Sequence, residues 1–230
     1  FQKDLGSYFD KTERNRQVAC RIIDKCDPPL FDSVTVKLET FKNGVDQAAR
    51  LAKADLTTEM VKEFTELQGV VGGLYARAQR LPDGVARAIY EHYKPASQTD
   101  TIPTLPAGSV VALADKISAI VDMFAIGLQP TGSKDPFALR RAGNGLIRIL
   151  AEDGSLKEIL HDQGEVGELI DAWADGDVKK LSVLTHKDMS GHPEVEKAFL
   201  DDRNRNWVVQ IGKMLGENHT YFITVGAGHL

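Results

Sequence analysis

Apolar side chains return every three or four positions through most of this chain, the period of a helix with one buried face. Val18, Ile22 and Cys26, flanked by Ala19 and Ile23, predict a first amphipathic helix that Pro28-Pro29 must end. Leu30 to Lys42 changes rhythm, with Val34, Val36 and Leu38 alternating with polar residues, and predicts either a short strand or an irregular insertion. From Val45 the helical period resumes through Ala48, Ala49, Ala52, Leu56, Met60 and Phe64, a second helix after which Gly69, Gly72 and Gly73 mark turns. Asp83 is placed to cap a third helix carrying Val85, Ala88, Ile89 and His92. Pro95 to Pro106 is polar and proline-rich and reads as a loop. Val110, Leu113, Ala114, Ile117, Ile120, Val121 and Phe124 then stripe a long helix. The next helix is expected to start with Asp135 as cap and Pro136 at its first position, where a missing N–H costs nothing.

The pattern weakens between Glu152 and Gly167, which is rich in Gly, Asp and Glu and reads as a junction. Beyond it Val166, Leu169, Ile170 and Trp173 share a helical face that Gly176 closes, and a longer helix runs from Pro193 to about Leu215, ending at Gly216. Thr220 to Val225 is a short apolar, β-branched and aromatic run, the signature of a buried strand. The expected fold is therefore mainly α: a helical domain over residues 1–155, then a small α/β segment over 164–230.

Composition changes this picture little. The chain has 230 residues, 42% hydrophobic and 27% charged, ordinary globular values that suggest neither disorder nor a membrane class. The most apolar window, Ala107 to Leu128, is interrupted by Asp115, Lys116 and Asp122, so no spanning helix is expected. No signal peptide is expected from the opening residues. Cys20 and Cys26 lie about 600° apart round a helix, so neither a bridge nor a metal pair is expected. A net charge of −5 argues against a bulk nucleic-acid binder, although a local basic stripe on an acidic protein still tracks phosphates.

Such a stripe exists. Lys134, Arg140, Arg141 and Arg148 gather in one short stretch, and Arg141, Asn144 and Arg148 share a helical face opposite Leu139, Ala142, Leu146 and Ile149. It can neutralise phosphates without reading bases, or it can be a solvated face paired with the excess Asp and Glu. The order Thr131-Gly132-Ser133-Lys134 lacks the spacing of a phosphate loop and reads as a turn. Asp55 lies beside the apolar stripe and needs a lysine or a helix-end N–H as partner, while His92, on an apolar face, reads as a satisfied core histidine. Asn204 falls on an apolar stripe between Leu200 and Val208 and must also find partners.

The run from Pro130 to Ala142, PTGSKDPFALRRA, resembles the signature of the β subunit of bacterial tetrameric glycyl-tRNA synthetase. Residues 1–7, Asp10 to Arg14, Ala52 to Val61 and Glu66 to Gly69 match the same family in order, so the resemblance covers roughly residues 1–150. It implies a region related to the HD-type phosphohydrolases, with the His-Asp pair falling on Ala54-Asp55 and the distant Asp on Asp115. The histidine ligands of that pattern are missing, so Lys53, Asp55, Asp115 and Lys116 are expected to be structural polar links, not a metal site. The resemblance further implies a fragment that supports ATP-dependent glycyl-tRNA formation by binding tRNA through Lys134, Arg140, Arg141 and Arg148 and by assembling with the α subunit. In that family the α subunit carries the adenylate chemistry. No catalytic residue and no bound cofactor are therefore expected here, ATP and Mg serve the whole synthetase, and the isolated fragment is expected to be inactive and cytoplasmic, without membrane contact.

Residues 164–230 resemble instead the carboxy-terminal half of the TraB/GumN family, on Leu169 to Asp177, Asp202-Arg203-Asn204 and Val225-Gly226-Ala227-Gly228-His229-Leu230. That resemblance implies a metal-binding role for His229, but one histidine cannot supply the three protein ligands of a catalytic site. The chain reads as a fusion cut at both ends. The alternatives to the synthetase reading are a metal-dependent hydrolase or regulator of the TraB/GumN kind and a non-functional fusion.

Overall fold

Pro106 begins the helix around which the first unit is built. The computed structural model describes residues 3–26, 38–128, 130, 135, 137–154, 156, 168, 171–172, 175–189 and 202–216, and among them every regular element is helical. In chain order these are α1 (Tyr8–Cys26), α2 (Leu38–Leu51), α3 (Glu59–Glu63), α4 (Val70–Ala78), α5 (Asp83–Glu91), α6 (Pro106–Ala125), α7 (Leu139–Glu152), α8 (Val178–Met189) and α9 (Asp202–Leu215). Single 3₁₀ turns lie at Lys3–Leu5, Ala54–Thr57 and Thr65–Leu67. The chain divides into two compact units, Phe1–Asp162 and Gln163–Leu230. Among the described residues no helix is long and apolar enough to cross a membrane.

In the first unit α6 packs on α1, α2, α5 and α7. From Gly108 to Lys116 it is buried on every side, because its neighbours surround it; the apolar stripe expected there is only part of what it hides. Ala19 and Ile23 of α1, Val45, Ala48 and Ala49 of α2, Val85, Ala88 and Ile89 of α5 and Ile149 of α7 close the core around it. The small residues matter as much as the large ones. Gly73 of α4 lies so near α5 that a Cβ there would meet Tyr90 Cα at 2.9 Å and Ala86 O at 3.0 Å, an approach only glycine permits.

Several expectations need correction. The second helix is not continuous from Val45 to Phe64: α2 stops at Leu51, a 3₁₀ turn follows, and Thr58 caps the short α3 by accepting from Val61 N–H. The chain breaks there because Lys53 and Asp55 are both turned inward to partners on other elements, and an unpaired buried charge costs more than a broken helical period. Gly69 is a turn, at φ 80°, but Gly72 and Gly73 lie inside α4. Asp83 opens α5 without a capping bond and instead pairs with Arg77 at 3.4 Å. Leu38 to Lys42 belongs to α2, while residues 27–37, with Pro28-Pro29, lie outside the described residues.

The Asp135 carboxylate accepts from Leu139 N–H at 2.8 Å and Arg140 N–H at 3.0 Å, but the N-cap position itself falls on Ala138 and the helix begins at Leu139, not at Pro136, which lies outside the described residues. In the second unit, α8 is a helix the sequence pattern did not announce; the Asp177 carboxylate accepts from Lys180 N–H at its start. Gly176 takes φ 69° just before it, and α9 runs to Leu215 with Gly216 following. Val166, Leu169, Ile170, Trp173, residues 193–201 and the expected strand from Thr220 to Val225 lie outside the described residues.

Candidate nucleic-acid interface and buried polar centre

The break after α2 carries Lys53 into the core, where it is 3% exposed. Its ammonium donates to Asp115 Oδ2 at 2.8 Å and to His92 Nε2 at 2.9 Å, and it sits 3.7 Å from the centroid of the Tyr93 ring, a cation–π contact. His92 Nδ1 lies 2.6 Å from the Ile89 carbonyl oxygen, so Nδ1 carries the proton and Nε2 is left to accept from Lys53. Burial, and then the Lys53 charge, hold the imidazole pKa down to about 3, and the ring is neutral. Asp115 takes a second ammonium on its other oxygen, Lys11 Nζ at 3.2 Å, together with Asn15 Nδ2 at 2.9 Å. Burial pushes that carboxyl up, yet Lys53 and Lys11 outweigh it and keep Asp115 well below the usual carboxylate range.

This donor set does not fit a divalent ion. An ammonium group already fills the space between the imidazole and the carboxylate, and among the described residues no three His, Cys, Asp or Glu side chains converge. Asp55 faces elsewhere. Its Oδ2 accepts from Gly69 N–H at 2.6 Å and Gly72 N–H at 3.1 Å at the start of α4, the helix-end partner expected for it. Lys116, next to Asp115 in sequence, also points away from the centre and donates to the carbonyls of Tyr93 at 3.2 Å and Lys94 at 2.9 Å.

Lys53 and Asp115 are thus brought into contact and His92 joins them, whereas Asp55 and Lys116 serve neighbouring positions. Sequence reasoning missed Lys11, Asn15 and Tyr93. The signal for the first two was present: Lys11, Asn15, Ala19 and Ile23 form an unbroken i, i+4 series, all buried, so the apolar stripe of α1 continues into two polar residues that must find partners.

The basic residues stand on a surface near this centre. A groove of about 580 Å³ runs between α7 and residues 95–98, with Arg140, Arg141 and Arg148 on its helical wall. Arg140 and Arg141 are exposed. Arg148 is more committed: it forms a two-bond pair with Glu152 at 2.8 and 3.1 Å and donates to the carbonyls of Ser97 and Gln98, so it fixes the far wall as well as charging the near one. Lys134 lies outside the described residues, as does His229, and the side chain of Asn204 is likewise not described.

Residues 1–212 match the model of the glycyl-tRNA synthetase beta subunit family, a range that also takes in α8 and most of α9. Among similar curated proteins are the glycine–tRNA ligase beta subunits of Acidobacterium capsulatum, 53% identical over 157 residues, and of Rhodospirillum centenum, 43% identical over 175 residues. That of Phenylobacterium zucineum is 40% identical over 202 residues, 86% of this chain. The first two alignments cover 66% and 76% of this chain, and the chain spans only 20%, 23% and 28% of the three relatives respectively. A match over so much of its length makes the chain a member of the glycyl-tRNA synthetase beta subunit family.

Proposed function

We propose that this segment works within the beta subunit of glycyl-tRNA synthetase as a helical body that holds tRNA by its phosphates while the alpha subunit performs the chemistry. The observation that carries the reading is the groove beside α7, where Arg140 and Arg141 stand exposed on an otherwise acidic chain. Guanidinium groups suit phosphate because their planar forks offer paired donors, and contacts of this kind position RNA without reading its sequence. Arg148 keeps a smaller share of this role, since its fork is engaged by Glu152. Glycine and ATP with Mg belong to the reaction of the whole synthetase, in the cytoplasm, and association with the alpha subunit completes the enzyme. The buried centre is read as the structural remnant of an HD-type site, its cation supplied by Lys53.

Binding of a fluorescent glycine tRNA at low salt tests this. Arg140→Ala combined with Arg141→Ala is expected to weaken binding by at least several-fold and to lower the slope of log affinity against log salt by about two, one for each phosphate that is no longer neutralised. Equal affinity and equal slope in the double variant and the native chain would end the tRNA reading of this groove.

A further inference from the structure

Beside the groove lies a smaller recess of about 200 Å³, which shares Arg141, Ala138, Pro95 and Ala96 with it. Lys116 and Asp115 also line this recess, and Lys116 is only 6% exposed. An ammonium group has three donors. Two of those on Lys116 are used by the carbonyls of Tyr93 and Lys94; the third has no partner among the described residues. The lysine stem reaches this place by passing over Gly145 of α7, where a Cβ would stand 2.7 Å from Lys116 Cε. The one carboxylate beside it leaves the local charge positive, because Asp115 faces the ammonium groups of Lys11 and Lys53 as well as that of Lys116. Ala119, Ala138 and Ala142 keep the walls short, and exposed Arg141 stands at the rim.

A recessed ammonium with a spare donor, an arginine at the rim and small walls between them make an anion subsite. We propose that Lys116 and Arg141 together receive one phosphate group of the RNA held along α7, a reading that rests on the groove's role in tRNA binding. Lys116 is then more than a structural link: it is a phosphate ligand set back from the surface. The phosphate can come from the terminus of a strand or from an internal diester, and the chemistry offered to either is the same.

Titrating the full chain with fluorescent glycine tRNA separates the possibilities. Lys116→Met should bind about ten-fold more weakly, with the salt slope reduced by about one, whereas Lys116→Arg, which keeps the charge, should stay within about three-fold of the native chain. If Lys116→Met binds like the native chain while the Arg140 and Arg141 changes still weaken it, the subsite falls and the groove reading stands. Native affinity in every variant removes both. Repeating the titration with RNA lacking its 5′-phosphate assigns the source: a Lys116 effect that vanishes belongs to a strand end, and one that persists belongs to a diester, either supporting the subsite. Because Lys116→Met leaves two carbonyls without a donor and can disturb folding, a second measurement uses the exposed arginine. Inorganic phosphate should raise the melting temperature of the native chain above that in chloride of equal ionic strength, and Arg141→Ala should lose that rise. No rise in the native chain would overturn the proposal.

Discussion

His92 shows how a single residue can be read correctly from sequence and still surprise. Its place three residues after Ile89 marks it as a core histidine, and its ring is indeed fully buried with both nitrogens engaged. What the sequence did not show is that one of its partners is a lysine from position 53, because a contact across thirty-nine residues depends on where α2 breaks. Its protonation has a consequence for stability. The folded pKa is about 3 against an ordinary value of 6.5, so as pH falls through that window the unfolded chain takes up a proton that the folded chain refuses. Stability is therefore full above about pH 6.5 and lost on acidification, with a slope from this group of about 1.4 kcal/mol per pH unit. Urea unfolding between pH 4 and 7 should show the slope, and His92→Gln should lower it by the equivalent of one proton; an unchanged slope would mean that His92 is charged in the fold.

Among the elements, helices with long apolar stripes were legible and their boundaries less so. The stripes of α1, α2 and α6 were visible because periodicity depends only on local spacing. The division of the second predicted helix into α2, a 3₁₀ turn and α3 was not visible, since it is imposed by the inward demands of Lys53 and Asp55, whose partners come from α6 and the start of α4. Gly72 and Gly73 were misread for a related reason: glycine serves turns and close helix contacts alike, and only the neighbour distinguishes them. Gly73→Ala tests the second use. Its Cβ would stand 2.6 Å from Tyr90 Cβ as well as meeting backbone, so α4 and α5 must separate, at a cost of about 1–3 kcal/mol in chemical denaturation despite alanine's better helix propensity. The control is Gly143→Ala, where nothing lies within 4 Å and the change should be neutral or slightly stabilising.

For the whole molecule, the core cluster of the first unit, among the described residues, runs from Ala19 to Leu156 and so lies within Phe1–Asp162. A chain ending at residue 162 is accordingly expected to unfold in one cooperative transition, with the same midpoint by circular dichroism and by tyrosine fluorescence. Non-coincident transitions would show that the first unit needs the rest. Of the candidate interface, the arginines on α7 were legible because they share a helical face with Asn144, but the recess that sets Lys116 beside Arg141 was not, since it arises from packing α6 against α7 at Gly145. The carboxylate of Asp115, divided between Lys53 and Lys11, also limits how this unit can diverge by descent. Losing it alone strands two like charges in the core, and losing either lysine shifts the whole load to the other. Drift at these three positions is therefore expected to occur as a joint exchange, one ancestral replacement licensing the next, and lineages that have abandoned the acid should carry apolar residues at both lysine positions.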